Sequence, residues 1–289
     1  MGCGARNHAG AAGRGGGNNL SIIDCHCHVI DPARFPFQPG TRYRPTGQEV
    51  APVDTLLRIM DQHGVQQGLL VATNSGYGED LSPVLDALAR GEGRFKAVAV
   101  VPLSATPADL ARLQARGVVG VAFNTPFHGT AYYAHAGELL RAMTDLGLFL
   151  QVQVRGDELL ALQPLLDQTQ VSLVFDHCGR PDPALGLGQP GFQMLLALGR
   201  ARRAVVKLSG FSQFSRQSHP YDDASPYVAA LLDAFTPAQT VWGSDWPFLR
   251  APERIDYGPL LLLAAEMLPD DAARQAVFCD TPARVFGFQ

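Results

Sequence analysis

Short apolar runs alternate with amphipathic stretches along the chain from residue 21 onward. Short runs of branched and apolar residues are typical of buried strands, and apolar residues spaced three and four apart are typical of helices. The predicted strands cover residues 21–29, 67–73, 95–101, 118–124, 148–154, 171–175, 204–208 and 240–243. The predicted helices cover residues 53–63, 80–90, a segment opening at 106–107, and residues 135–146, 156–167, 191–203, 224–235, 252–268 and 270–278.

This order of elements predicts an α/β fold with a parallel sheet covered by helices. Eight strands are the number that closes a (β/α)8 TIM-type barrel, which typically needs about 250 residues. A doubly wound open sheet is the alternative, but no Gly-x-Gly-x-x-Gly follows any predicted strand. We predict one barrel domain over residues 20–289, preceded by a flexible, Gly-rich tail over residues 1–19.

The composition and charge of the chain limit the kinds of molecule that it is expected to bind. The formal net charge is −4 and no basic run occurs, so a nucleic-acid partner is not expected. The longest apolar stretch, residues 260–265, is too short for a membrane span. Five cysteines are too few and odd in number for a disulfide framework, which favours a cytoplasmic protein. We predict an enzyme with a small-molecule substrate; a homo-oligomer remains open, because nothing in the sequence decides it.

Unusual polar residues fall where predicted strands end. In a barrel these ends converge on one mouth, which is where TIM-barrel chemistry occurs. His-x-His on a strand places both rings on one face, because side chains alternate with period two. Three imidazoles and a carboxylate suit either a zinc ion or a polarised carbonyl, and the residues alone leave both open. The candidates are His26, His28, His177 and Asp245.

Cysteines and cations near these positions extend the candidate site. Cys25 and Cys27 alternate with the histidines, so we expect them on the opposite face as small core residues. A single arginine is usually a solvated surface charge, but several at one mouth would bind carboxylates, which arginine contacts bidentately. The cationic candidates for substrate binding are Arg155, Arg180, Lys207 and Arg216.

Four motifs together resemble a known family. They are His26-x-His28, Asp176-His177-x-Gly179-x-Pro181, Lys207-x-Ser209-Gly210 and Gly243-Ser244-Asp245-Trp246-Pro247. The chain resembles the amidohydrolase-2 branch of the amidohydrolase superfamily over residues 21–288, and within it the lactone hydrolases that include the pyrone-dicarboxylate lactonases. The resemblance implies a distorted (β/α)8 barrel that opens a lactone of a small carboxylate-bearing or sugar-derived metabolite with water.

The resemblance also implies roles for individual residues. Asp245 would be the general base that deprotonates water. Arg180 would bind a substrate carboxylate, and Tyr43 would help to close the site. The lactone carbonyl would be polarised, and its oxyanion stabilised, by His26, His28 and His177.

Two departures limit the resemblance. Metal-dependent relatives supply a histidine or a bridging lysine from the middle strands, whereas strand five here carries Gln151 and Gln153, and glutamine is a weak zinc ligand. This favours hydrolysis that requires no cofactor. The dicarboxylate lactonases have arginine where this chain has Ala122, which favours a monocarboxylate or uncharged lactone.

Two other functions remain as alternatives. A metal-dependent decarboxylase of the same superfamily would use the same frame and would lose activity with chelators. A non-catalytic binding module on a barrel would keep its ligand affinity when Asp245 is replaced by asparagine.

Overall fold

A computed structural model describes residues 21–289, and the predicted tail of residues 1–19 lies outside this range. Its eight strands form one parallel sheet in chain order, so the predicted strand number and direction are confirmed. The strands are β1 (Ile22–Cys27), β2 (Val65–Val71), β3 (Phe95–Ala99), β4 (Val118–Asn124), β5 (Phe149–Gln153), β6 (Leu173–Phe175), β7 (Ala204–Leu208) and β8 (Thr240–Trp242).

The sheet curls into a nearly closed barrel. The contact that closes it joins the end of β1 to the segment after β8, and not to β8 itself. A parallel bridge joins Cys27 to Trp246. The His28 amide donates to the Trp246 carbonyl at 2.8 Å, and the Asp245 amide donates to the His26 carbonyl at 2.8 Å. The barrel is therefore a distorted one, as expected, and its distortion lays Asp245 directly against the end of β1.

Helices cover the outside of the barrel. None of the helices in residues 21–289 is long and apolar enough to cross a bilayer. The last predicted helix, over residues 270–278, differs in the structure. Its α-helical part ends at Gln275, a π-helical turn follows, and the chain then forms a further helix that the sequence pattern did not predict. The longer helices are Val53–Gln62, Ser82–Arg90, Pro107–Gln114, Gly137–Asp145, Glu158–Leu166, Pro190–Arg200, Ser225–Phe235 and Tyr257–Met267, followed by Asp271–Gln275 and Thr281–Phe286.

The core has two layers. A large cluster lies between the strands and the helices. A smaller one takes apolar residues from strands all around the sheet and therefore fills the barrel interior, with Phe286 and Phe288 of the C-terminal segment packed against it. The interior below the mouth is thus apolar, which leaves the polar residues to gather at the strand ends.

A β-bulge in β1 changes which side chains share a face. Asp24 pairs with Gly68 and Cys27 pairs with Leu70, so three steps along β1 match two steps along β2. Cys25 packs in the interior cluster and Cys27 packs in the outer one. The prediction of small core cysteines is confirmed, since both are fully buried free thiols. The prediction that both face away from the histidines is wrong for Cys25, because the extra residue resets the alternation.

Candidate active site

A cavity of about 230 Å³ opens at the carboxyl ends of the strands. His26, His28 and Asp245 line it, together with Gln151 and Gln153 of β5. The cavity is small and mostly polar, which suits a small polar metabolite better than a large apolar ligand.

Three histidines surround one oxygen of Asp245. Its Oδ1 atom lies 3.6 Å from Nε2 of His26, 3.6 Å from Nε2 of His28 and 3.8 Å from Nε2 of His177. These separations are too long for direct hydrogen bonds, so the three rings face the carboxylate without bonding to it directly. The structure thus brings together all four residues that the sequence analysis selected as catalytic.

The partner of His28 fixes its tautomer. Its Nδ1 lies 2.8 Å from the carbonyl oxygen of Val71. A carbonyl only accepts, so Nδ1 carries the proton and Nε2 of the neutral ring presents a lone pair toward Asp245.

Ser209 and Gly210 hold His177 from behind. Its Nδ1 lies 2.9 Å from the Ser209 hydroxyl. Gly210 has a φ of +59°, and a Cβ there would lie 2.4 Å from Nδ1 of His177. The Lys-x-Ser-Gly motif therefore supplies both a hydrogen-bond partner and the clearance that the imidazole needs.

A buried polar network lies beneath His26. The Lys207 ammonium donates to Oε1 of Gln151 at 2.6 Å and lies 3.1 Å from Oδ1 of Asp176. Gln151 in turn donates to the other oxygen of Asp176 at 2.8 Å. Lys207 is 0% exposed and does not line the cavity, so the structure places it below the histidines and out of a substrate's reach. The sequence analysis did not select Asp176, although it ends β6 beside His177.

Burial sets the charge of these groups. Burial and the Lys207 ammonium lower the pKa of His26 from 6.5 to about 3, so this ring is neutral near pH 7. Burial alone would raise the pKa of Asp245, but the surrounding histidines bring it below its ordinary value. Asp245 is therefore ionised at neutral pH, and a carboxylate with a lowered pKa is a weak base.

Backbone strain concentrates in the loops that carry these side chains. His177, Arg180, Asp245 and Arg250 all have φ between +46° and +62°. Left-handed backbone is costly for residues with a Cβ and is kept mainly where the surroundings impose it, often at functional sites.

Two predicted arginines reach the cavity and one does not. Arg180 and Arg155 line it, and Nε of Arg180 is buried without a hydrogen-bond partner among residues 21–289. Arg216 lies outside the cavity, where it pairs with Asp182 at 3.0 Å. Arg250, which the sequence analysis did not select, also lines the cavity; its position five residues after Asp245 was the available signal.

Tyr43 lies behind the cavity wall. Its hydroxyl donates to the Glu49 carboxylate, and the Arg250 guanidinium stacks over its ring at 4.4 Å. Tyr43 therefore reaches the cavity only through Arg250, whose side chain it supports.

Neutral polar groups form the wall on the side of β2 and β4. Asn124 donates to Asn74 at 3.2 Å, and Asn74 lies 3.2 Å from Nε2 of His128. Both asparagines line the cavity and neither was selected from the sequence. Ala122 also lines it, half-buried, so the methyl group leaves space where the resemblance expected an arginine.

The same side chains form a donor set for a divalent ion. Neighbouring ligands of a tetrahedral zinc lie about 3.3 Å apart. The nitrogen–oxygen separations of 3.6–3.8 Å around Asp245 approach this spacing. Two overlapping groups have ligand atoms close enough to share an ion: His26, His28 and Asp245, and His26, Asp176 and His177.

Comparison with known proteins assigns the family. The profile of the amidohydrolases matches residues 23–288. The chain belongs to the amidohydrolase family. A 4-sulfomuconolactone hydrolase from Rhizobium radiobacter is 34% identical over 274 residues, covering 91% of this chain and 89% of that protein. A second 4-sulfomuconolactone hydrolase, from Hydrogenophaga intermedia, is 31% identical over 278 residues, covering 91% and 88%.

A solved crystal structure has the same barrel. The crystal structure of a probable 2-pyrone-4,6-dicarboxylic acid hydrolase from Acinetobacter baumannii, with citric acid bound, superimposes with a TM-score of 0.82 at 25% identity. The match covers 93% of this chain and all of that one. The predicted family and fold are therefore both confirmed.

Proposed function

We propose that this amidohydrolase opens a small lactone by hydrolysis, with Asp245 as the base and the histidines as the electrophilic side of the site. The observation that carries the proposal is the Asp245 carboxylate, which lines the cavity with His26 and His28 and lies within 3.6–3.8 Å of three imidazoles. The hydrolase names of the relatives, which cover nearly the whole chain, support it.

The nucleophile would be a water molecule held between two acceptors. Nε2 of His28 and Oδ1 of Asp245 both present lone pairs and lie 3.6 Å apart. A water molecule that donates to both directs its own lone pair into the cavity. Asp245 then takes the proton as the water attacks the lactone carbonyl, and it returns that proton to the alkoxide when the ring opens.

The oxyanion needs donors opposite the water. Nε2 of His26 and Nε2 of His177 lie 3.6 Å and 3.8 Å from the same oxygen of Asp245. The centroids of the two rings are 4.6 Å apart. In the tautomer that carries the proton on Nε2, each ring donates to the developing oxyanion. A well-placed donor of this kind contributes about 3–4 kcal/mol to the transition state, enough to make up for a weak base.

A carboxylate on the substrate would bind the arginine side of the cavity. The buried Nε of Arg180 has no partner within residues 21–289, and a guanidinium recognises a carboxylate with paired hydrogen bonds. Arg155 and Arg250 line the same cavity and add positive charge. The citric acid in the Acinetobacter relative shows that a polycarboxylate binds that protein, which supports an acidic substrate here.

We further propose that hydrolysis requires no metal ion. His26, His28, His177 and Asp245 would hold a zinc if one were bound, and it would then polarise the carbonyl as a Lewis acid. The proposal rests on β5, which offers only the amides of Gln151 and Gln153 toward the cavity, and on Lys207, which already occupies Nδ1 of His26.

A lactone panel tests both parts. Purified protein is assayed for acid release at neutral pH from lactones with no, one or two carboxylates, with and without a strong chelator. Chelator-resistant hydrolysis of a carboxylated lactone is the expected result. Absence of hydrolysis across the panel would contradict the proposed function, and a release of CO2 that the chelator abolishes would favour the decarboxylase instead.

A further inference from the structure

Lys207 is one of only two lysines in the sequence, the other being Lys96. It is fully buried in β7, with its ammonium beneath the floor of the cavity. A buried ammonium is costly unless each of its protons has an acceptor. The positions of its hydrogen-bond partners therefore show where its N–H bonds point.

Three acceptors surround Nζ of Lys207. Oε1 of Gln151 lies at 2.6 Å, Oδ1 of Asp176 at 3.1 Å and Nδ1 of His26 at 3.2 Å. An ammonium has three donors and no acceptor. Oε1 of Gln151 accepts one proton, Oδ1 of Asp176 forms an ion pair, and Nδ1 of His26 is the other hydrogen-bond partner of the ammonium. Since the ammonium only donates, Nδ1 of His26 must present a lone pair.

The competing arrangement would place a proton on Nδ1 of His26 and direct it at Asp176. Nδ1 lies 3.2 Å from Oδ1 of Asp176. Within residues 21–289, however, this buried oxygen receives no aligned hydrogen bond from any group. A proton on Nδ1 would also point toward the Lys207 ammonium, which lies 3.2 Å away. Two hydrogen-bond donors would then face each other, which is unfavourable. The geometry thus disfavours this tautomer.

We propose that Lys207 is a positioning residue that sets the tautomer of His26. By donating to Nδ1 it places the ring proton on Nε2, so His26 enters the cavity as a donor. His28 is the opposite tautomer, because the Val71 carbonyl holds the proton on its Nδ1 and leaves Nε2 as an acceptor. The His-x-His pair is therefore divided into one donor and one acceptor on either side of Asp245.

This division has two consequences. It fits the proposed hydrolysis, because the oxyanion needs a donor and the water needs an acceptor. Its role in catalysis rests on that proposed function. It also opposes zinc, because a metal ion needs the lone pair of Nε2. His26 can ligate an ion only after its proton moves to Nδ1, where Lys207 already donates.

Nitrogen NMR tests the tautomers without any substrate. The metal-free protein, labelled with 15N in its histidine rings, is measured at about pH 8, above the ordinary histidine range. Signals are assigned by their loss in His26→Gln and His28→Gln. We expect a proton on Nε2 of His26 and on Nδ1 of His28. A proton on Nδ1 of both rings would overturn the proposal even if the enzyme proves to be a lactone hydrolase.

Zinc affinity is the second readout. Lys207→Met removes the donor to Nδ1, and we expect zinc to bind on the order of 10- to 100-fold more tightly, the size of effect seen when a partner of a metal-bound histidine changes. Lys96→Met is the matched control and should bind zinc like the wild type. Equal affinity in all three proteins, measured by competition with a chromophoric chelator, would overturn the proposal.

A double variant covers the case in which Lys207→Met leaves Asp176 as an unpaired buried charge and prevents folding. Lys207→Met/Asp176→Asn removes both charges, and the asparagine oxygen can still accept a proton from Nδ1 of His26. Tighter zinc binding is expected here too. Zinc binding no tighter than in the Asp176→Asn single variant would count against Lys207.

Discussion

The hydroxyl of Tyr257 donates a 2.8 Å hydrogen bond to the carboxylate of Asp24, 233 positions away in the chain. The other oxygen of Asp24 accepts from the backbone amides of His26 at 3.1 Å and Ser244 at 2.9 Å. The carboxylate therefore connects the bulge in β1 to the turn that carries Asp245, where no strand ladder joins β1 to β8.

Tyr257→Phe should loosen this connection. It removes one partner of a buried carboxylate, which typically costs about 1–3 kcal/mol in the free energy of unfolding. We expect that loss in urea denaturation, together with a lower kcat, because Asp245 is held less firmly. Tyr132→Phe, at an exposed tyrosine, is the control and should change neither quantity. Unchanged stability in Tyr257→Phe would contradict the role given to Asp24.

Asp245→Asn should remove the proposed base and keep the shape of the side chain. Loss of a positioned base typically lowers the rate by about 10²–10⁴-fold, and we expect kcat to fall by this amount. Substrate binding, measured by calorimetry with the intact variant, should remain within a few fold of the wild type. A kcat near that of the wild type would exclude Asp245 as the base, and Asp182→Asn at the surface serves as the control.

Arg180→Met should weaken binding of acidic lactones selectively. A hydrogen bond to a charged group contributes about 1.5–3 kcal/mol, so KM for a carboxylated lactone should rise about 10- to 100-fold. An uncharged lactone should show little change. Arg216→Met is a matched control, because Arg216 pairs with Asp182 outside the cavity. Equal effects of the two substitutions would show that Arg180 does not contact the carboxylate.

Ala122→Arg should broaden the substrate range toward dicarboxylates. Ala122 lines the cavity, and a guanidinium at this position would add a second carboxylate partner. We expect kcat/KM for a dicarboxylate lactone to rise about tenfold relative to a monocarboxylate one. Ala122→Met adds similar bulk without charge and should not produce this change. If both variants behave alike, size and not charge limits the substrate at this wall.

Acid should destabilise the fold through His26. The folded-state pKa of this ring is lowered from 6.5 to about 3, so the unfolded chain binds the extra proton first as the pH falls. Stability is therefore fully present above pH 6.5 and decreases progressively toward pH 3. His177, whose pKa burial also lowers, contributes in the same direction. In urea denaturation across this range, His26→Gln should show a shallower decrease, and an unchanged slope would contradict the assignment.

Much of the fold follows from local patterns. Apolar runs and amphipathic stretches identified eight strands and the helices between them, because burial on both faces and period-3.6 packing act over a few residues. The four catalytic candidates were identifiable for a related reason. His26 and His28 lie in the last part of the first predicted strand, and His177 and Asp245 closely follow two later ones. Parallel strands in a barrel bring their carboxyl ends to one mouth.

The details that decide chemistry did not follow from local patterns. The bulge that turns Cys25 into the barrel, the withdrawal of Lys207 beneath the floor and the departure of Arg216 from the cavity all depend on neighbouring strands and loops. The same holds for Arg250, which reaches the cavity because its loop folds back over Tyr43.

The sequence by itself determined the barrel, the family and the residues able to do chemistry, since these depend on residue type and spacing. Tertiary structure alone decided which atom of each residue faces which partner. The hydrogen bond from His28 to Val71 and the contact between Lys207 and His26 join different strands, and they determine where two protons lie. Proton positions depend on distances of a few tenths of an ångström, and only the assembled barrel sets those distances.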